Sequence, residues 1–331
     1  MTMAWTGLLI GVIFGIILQR GRVCFNSAFR DILLFKDNYL WKLGFLAVGL
    51  QAITVLFVAQ MGWIRIAPPT LNFFSNIVGA YIFGLGMVLA GGCASGVTYR
   101  AGEGMTTAMF GAVFYGLGAL AMRSGIFSGI RTWAAGFNIT VAGNSPVYFD
   151  KVGPTLATIF NINPWIPAVI VAVLLLWYTL GTKTTDRPTK FNWKVAAIAL
   201  AILSPIAWIT SVAAGRNYGL GITGGWISIF DTFISNQPLR WDGYEIIGII
   251  IGALIASLLA KEFKLRMPKN PKTYLQVMVG GIMMGAGANL AGGCNIGHFL
   301  TGLPTLAISS IVASIFLILG NWTMAYILYR K

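Results

Sequence analysis

Charged side chains are scarce in this sequence, and acidic ones are the scarcest. Only 10% of the 331 residues are charged, with 9 Asp and Glu against 23 Lys and Arg. Soluble globular domains carry about 25% charged residues. This shortage, with 57% hydrophobic residues and a mean hydropathy of +0.78, excludes a soluble domain and indicates a protein embedded in a lipid bilayer.

Cysteine and histidine are also rare. The chain has three cysteines, Cys24, Cys93 and Cys294, and one histidine, His298. An odd number of widely separated cysteines argues against a disulfide framework, and a four-ligand zinc site would need His298 as its fourth ligand. No P-loop, CxxCH or GxSxG motif occurs, so ATP hydrolysis, haem attachment and serine hydrolysis are not expected. We predict no cofactor and no enzymatic activity.

Long apolar segments run through the whole chain. About 20 apolar residues in a helix cross the hydrocarbon core of a bilayer. Nine such segments lie near 3–18, 40–60, 74–92, 105–122, 165–181, 194–213, 243–260, 274–292 and 305–328. We therefore predict a single all-α integral membrane domain over residues 1–331, with about nine transmembrane helices.

The basic residues predict an orientation for these spans. If the amino terminus lies outside, the inner segments are 19–42, 93–104, 182–194, 261–273 and the carboxyl terminus, and they hold 17 of the 23 Lys and Arg. Inner loops are enriched in Lys and Arg, so we predict that the amino terminus lies outside and the carboxyl terminus inside. Because these residues are scattered over short loops, they form no nucleic-acid-binding patch.

The sequence contains an internal repeat. The segment GAYIFGLGMVLAGGCASG at 79–96 matches GGIMMGAGANLAGGCNIG at 280–297 with nine identities in eighteen positions. A weaker match pairs Gly21-Arg22 with Gly215-Arg216, and Tyr218 then takes the place of Cys24. We predict one half over 1–123, a linker span over 164–182 and an inverted second half over 193–331, an arrangement common in transporters.

The two GGC segments are the strongest candidates for a functional site. Paired glycines can break a helix and expose backbone N–H groups, which bind anions. Irregular backbone inside a membrane lies within protein or lines a cavity. The glycines could instead serve tight helix packing, with cysteine as a small apolar side chain. Their recurrence in both halves favours two dipping loops that present Cys93 and Cys294 and are formed by Gly91, Gly92, Gly96, Gly292, Gly293 and Gly297.

Polar residues near the cysteines are candidate anion contacts. Arg22, Asn26 and Ser27 flank Cys24. Arg100 follows the first GGC segment and could instead pair with Glu103. His298, four residues after Cys294, is a weaker candidate for a metal ligand or proton relay. At the start of a span, Glu245 is expected to be solvated.

The GRxCF loop at Gly21–Phe25 and the two AGGC segments resemble the YeeE/YedE sulphur-transport family. The resemblance covers essentially the whole chain. It implies an hourglass of helices with loops dipping from both sides, and import of thiosulfate across the bacterial inner membrane. In this family the residues matching Cys24, Cys93 and Cys294 are the functional cysteines. A cytosolic TusA-like sulphur carrier is the usual partner, and a related branch is linked to selenium.

This resemblance suggests a relay of thiosulfate along three neutral thiols. A thiol is a weak donor, so it can hold the terminal sulphur of the anion and release it again. Three alternatives remain: a selenium-containing substrate, a membrane sulfurtransferase that forms a cysteine persulfide, and a metal-binding membrane protein. In the last case the ligands would be Cys24, Cys93, Cys294 and His298.

Overall fold

The structure is a computed structural model that describes residues 3–187 and 191–329. Helices account for most of these residues. In chain order they are α1 Thr6–Arg20, α2 Phe25–Phe35, α3 Tyr39–Gln60, α4 Ala80–Leu89, α5 Ala94–Gly102, α6 Thr106–Arg123, α7 Ser128–Ala135, α8 Leu156–Phe160, α9 Trp165–Gly181, α10 Trp193–Ala213, α11 Thr223–Ser235, α12 Trp241–Leu259, α13 Lys272–Ala291 and α14 Ile308–Tyr329.

Shorter elements complete the chain. A π-helical turn at Ser75–Gly79 leads into α4, and a second π-helical segment, Ile296–Gly302, follows α13. The 3-10 turn Leu303–Thr305 connects that segment to α14. Strands β1 (Val141–Ala142) and β2 (Lys151–Val152) form an antiparallel pair outside the helical bundle. This two-residue ladder is a small addition to the predicted all-α fold.

Each of the nine predicted apolar segments contains a helix. Within residues 3–187 and 191–329, seven helical stretches are long and apolar enough to cross a membrane, and α6 with α7 forms an eighth that is bent by 55°. Helix α9 is shorter, with 17 residues. The protein is therefore an all-α, multi-pass membrane protein, as the sequence predicted, while the count of nine crossings stays a prediction.

Glycine allows α1 and α12 to pack backbone against backbone. Gly7, Gly11 and Gly15 recur at four-residue intervals on α1, and each faces the backbone carbonyl of an α12 residue. In return, Gly248 of α12 lies against the α1 backbone, so that an added Cβ would come within 2.8 Å of Gly11 Cα. Small residues are enriched where membrane helices approach this closely.

Helices α4 and α13 carry the matching GGC segments, and they run antiparallel. Gly79 near the start of α4 packs on Gly287 and Ala291 near the end of α13, whereas Gly86 packs on Gly280. The loops that begin at Gly91 and Gly292 therefore lie at opposite ends of this helix pair. Helix α13 has 20 residues, which corresponds to a length of about 30 Å.

The contacts between helices are reciprocal when the two halves are exchanged. The sequence repeat equates α4 with α13 and α1 with α10, and chain order then equates α3 with α12 and α6 with α14. Helix α1 packs on α12, and α10 packs on α3. Likewise α6 packs on α13, and α14 packs on α4.

The close packing of α1 on α12 predicts the effect of a bulky residue at Gly248. We expect Gly248→Val to lower the melting temperature in detergent by several degrees, because the added methyl groups force two backbones apart and overpacking costs about 1–3 kcal/mol. Gly129→Val is the control, since a Cβ at Gly129 meets nothing within 4 Å. Equal melting temperatures for the two variants would contradict this packing.

Candidate functional site

Both GGC segments end a helix in the same way. Gly91 follows α4 with φ +69°, and Gly292 follows α13 with φ +84°. Side chains disfavour this left-handed conformation, and glycine adopts it freely. The next amide closes the turn in each half: Gly92 N–H donates to Met87 O at 3.0 Å, and Gly293 N–H donates to Ala288 O at 2.9 Å. The sequence prediction of broken helices is consistent with this geometry.

Each cysteine of a GGC segment precedes a short helical segment. Cys93 is the N-cap residue of α5, and its Sγ accepts a hydrogen bond from Gly96 N–H at 3.3 Å. Cys294 precedes the π-helical segment Ile296–Gly302. The Cys93 and Cys294 side chains are 0% and 1% exposed. Both thiols thus lie within protein and away from lipid.

Cys24 lies beside Cys93. The two Sγ atoms are 3.8 Å apart, and Ser95 Oγ lies 3.4 Å from Cys93 Sγ. All three cysteines are free thiols. The structure therefore brings together two of the three predicted cysteines at the first GGC loop, and Cys294 belongs to the second.

Cavities adjoin the two GGC loops. One cavity of about 200 Å³ is lined by Gly91, Arg100 and the start of α13. At the opposite end, cavities of about 310 and 400 Å³ share Arg131, Asn289 and Gly292 in their linings, and the smaller one is also lined by Arg123. Each GGC loop therefore has a neighbouring cavity with a basic side chain in its lining, Arg100 at the first loop and Arg131 at the second.

The candidate anion contact Arg22 is held by carboxylates. Its guanidinium donates to Glu103 at 2.6 Å and to Glu262 at 2.8 Å. Arg266 also donates to Glu103 at 3.1 Å. This cluster joins the loop after α1, the end of α5 and the loop before α13, so Arg22 connects the two halves in this conformation.

Asn26 and Arg100 have different surroundings. The Asn26 side chain is buried and accepts a hydrogen bond from Asn321 at 2.7 Å, which connects α2 to α14. Arg100 donates to the Gly91 carbonyl at 3.0 Å and to the Tyr99 hydroxyl at 3.3 Å. The alternative in which Arg100 pairs with Glu103 is wrong, because Arg100 turns back to the glycine loop while Glu103 faces Arg22 and Arg266.

The structure also describes the surroundings of Glu245 and His298, for which the sequence suggested solvent exposure and a metal or proton role. Glu245 is 0% exposed, and neither carboxylate oxygen has a hydrogen-bond partner among the residues described. The expectation that Glu245 is solvated is therefore wrong, because α1 packs against its backbone and the segment with Arg216 and Gly221 lies beside its carboxylate. His298 is buried with Nδ1 3.2 Å from Ser310 Oγ. In the described parts of the chain, no three His, Cys, Asp or Glu side chains converge as a metal site would require.

Two tyrosines near Cys294 were not predicted as site residues. Tyr115 and Tyr218 both lie close enough to the Cys294 thiol to interact with it electrostatically. The Tyr115 hydroxyl is hydrogen-bonded to Thr223 Oγ1 at 2.6 Å. The weak repeat could have identified Tyr218 as a site residue, because Tyr218 aligns with Cys24. Nothing in the local sequence distinguishes Tyr115 in this way.

The chain resembles known transporters over its full length. It is 59% identical to a protein named "Thiosulfate transporter TsuA" from Spirochaeta thermophila, over 99% of this chain and 100% of the relative. It is 30% identical to "Thiosulfate transporter TsuA" from Escherichia coli, over 100% of this chain and 96% of the relative. A "Probable transporter YedE" from Salmonella typhimurium is 29% identical over 52% of this chain and 38% of that protein.

The family profile described as "Sulphur transport" matches residues 20–323. The match includes the GRxCF loop and both GGC segments, on which the resemblance was based. The relatives are named as transporters, which agrees with the expectation that the chain is not an enzyme. By this match and by its full-length relatives, the chain belongs to the YeeE/YedE sulphur-transport family.

Proposed function

We propose that this protein imports thiosulfate across the bacterial inner membrane along a path lined by Cys24, Cys93 and Cys294. One observation carries the proposal: two glycine-broken helices each place a buried thiol beside a loop that also lines a cavity with a basic side chain. Gly91 and Gly92 form one break and are followed by Gly96 in α5, and Gly292 and Gly293 form the other and are followed by Gly297 in the π-helical segment. The substrate follows from the names of the full-length relatives.

The scaffold is proposed to be an inverted repeat of residues 1–123 and 193–331, joined by the linker span 164–182. Two equivalent helices related by a twofold axis along the membrane normal run parallel, whereas an axis in the membrane plane makes them antiparallel. The antiparallel packing of α4 on α13 and the reciprocal helix contacts favour the second case. Inverted repeats of this kind place their substrate site at the interface between the halves.

The proposed orientation puts Cys294 toward the periplasm and the Cys24–Cys93 pair toward the cytoplasm. This orientation rests on the excess of Lys and Arg in the predicted inner segments. Three of these basic residues, Lys190, Arg330 and Lys331, lie outside the described residues. Thiosulfate would then enter from the cavities lined by Arg131 and leave through the cavity lined by Gly91 and Arg100. A cytosolic TusA-like sulphur carrier is the proposed acceptor there.

Neutral thiols suit a divalent sulphur anion. Each S–H is a weak donor that can hold the terminal sulphur without trapping it. A thiolate 4 Å from the dianion would instead repel it by about 8 kcal/mol at an effective dielectric constant near 20. The 3.8 Å separation of Cys24 and Cys93 allows one thiol to pass the anion to the other. Because all three thiols are buried, passage requires the glycine loops to move.

Removing a thiol should interrupt the relay. We expect Cys93→Ala and Cys294→Ala to abolish uptake of labelled thiosulfate into cells that lack their own importer, and Cys24→Ala to reduce it strongly. Ser204→Ala, which removes a buried hydroxyl from α10, is the control and should transport normally. Membrane expression is measured for each variant. Wild-type uptake by both Cys93→Ala and Cys294→Ala would exclude a path along these thiols.

Doubly labelled thiosulfate distinguishes transport from sulfurtransferase chemistry. The anion is labelled with different sulphur isotopes at its two positions and supplied to proteoliposomes. We expect both isotopes to enter in equal amounts, with no cysteine persulfide detected by mass spectrometry. A persulfide on any of the three cysteines, with sulfite left outside, would establish the enzymatic alternative.

Arg131 should help to capture the anion at the outer opening. It lines both cavities near Gly292, where its positive charge raises the local anion concentration. We expect Arg131→Gln to raise the KM for thiosulfate several-fold at low salt, with less effect at high salt because ions screen the charge. Arg65→Gln is the control, since Arg65 lies over the Phe149 ring and away from these linings. Equal KM values would contradict capture by Arg131.

A further inference from the structure

Tyr218 occupies, in the second half, the position that Cys24 occupies in the first. An added Cβ on Gly96 would lie 2.9 Å from Cys24 Sγ, and an added Cβ on Gly297 would lie 2.9 Å from Tyr218 Oη. Gly96 and Gly297 are equivalent glycines of the repeat, three residues after Cys93 and Cys294. The Tyr218 hydroxyl therefore faces the second broken helix as the Cys24 thiol faces the first.

The surroundings of Tyr218 hold it in this place. Arg216 donates to the carbonyls of Tyr218 and Gly219, both at 3.0 Å, and its guanidinium lies 5.2 Å from the centre of the Tyr218 ring. The Tyr218 hydroxyl donates to Gly297 O at 3.1 Å. These contacts fix the ring, whereas the hydroxyl proton can rotate from the carbonyl to another acceptor.

The chemistry at the two positions differs. A phenol is a good hydrogen-bond donor and acceptor, whereas a thiol is a weak donor and a weak acceptor. Hydrogen bonds from O–H groups to anionic oxygen are short and strong. Thiosulfate presents anionic oxygens as well as its terminal sulphur, so a phenol next to a thiol can contact both parts of the ion at once.

We propose that the Tyr218 hydroxyl is a fourth substrate contact, which binds the oxygens of thiosulfate while Cys294 contacts its terminal sulphur. This inference rests on the proposed function. The two ends of the path then have different tasks. The Tyr218–Cys294 end captures the anion from the outer side, and the Cys24–Cys93 end, with two weak donors, releases it.

Kinetics of Tyr218→Phe test this assignment, because phenylalanine keeps the ring and removes only the hydroxyl. We expect the KM for thiosulfate uptake to rise about tenfold or more, as for the loss of a hydrogen bond to a charged group, with the maximal rate within about twofold of wild type. Tyr81→Phe is the control, since its hydroxyl bonds to Thr323 at 3.1 Å in another part of the bundle.

A binding measurement separates substrate contact from a structural role. Ligand binding raises the melting temperature of a protein, so thiosulfate should stabilise the wild type and Tyr81→Phe, but Tyr218→Phe only at much higher concentration. An unchanged KM in Tyr218→Phe would overturn the proposal. So would a lower maximal rate with unchanged KM, because that pattern means that Tyr218 merely anchors Gly297.

The same experiment distinguishes a failure of this inference from a failure of the proposed function. If wild-type protein takes up thiosulfate and Tyr218→Phe behaves identically, the assignment of Tyr218 fails while the function stands. If the wild type takes up no thiosulfate, the proposed function itself fails, and the assignment of Tyr218 fails with it.

Discussion

The hydrocarbon interior imposes one constraint on which the whole site depends, because every backbone polar group there must find a partner within the protein. Two helices of this protein end beside buried cysteines and still meet that constraint. Gly91 and Gly292 turn the chain in the left-handed conformation, the following amides bond back to the preceding helix, and Cys93 Sγ accepts the Gly96 amide. The neighbouring α6 and α14 pack against α13 and α4. Thiols can therefore lie at helix breaks within the bundle.

Glycine residues also allow helices from the two halves to pack closely against each other. The α1–α12 and α4–α13 contacts are backbone contacts, so the position of each broken helix is set by its partner from the other half. The Glu103 cluster adds charge pairing to this packing, since Arg22 and Arg266 come from different halves. A movement that opens the Cys24–Cys93 pair must therefore disturb helices of both halves, which suits a path that runs between them.

The duplicated scaffold carries different side chains in its two halves. Cys24 and Tyr218 stand at equivalent places, and so do Val97 and His298, which both pack on the second glycine of their GGC segment. Beside the second GGC segment, the Asn295 side chain and His298 Nε2 are buried without hydrogen-bond partners among the described residues. In the proposed site, the repeated segments thus supply similar backbone turns, and the side chains that differ between them would give each end its own chemistry.

The sequence alone determined the membrane class, the apolar helical segments, the sequence repeat and the glycine turns, because hydropathy and glycine conformation are properties of short segments. It did not determine which side chains meet. Cys24 and Cys93 are 69 residues apart, and Glu103 pairs with Arg22 and Arg266 instead of nearby Arg100. Glu245 is buried because α1 and the segment with Arg216 and Gly221 lie against it, a fact that its own segment does not contain. Such contacts depend on how distant helices pack, so only the tertiary structure decided them.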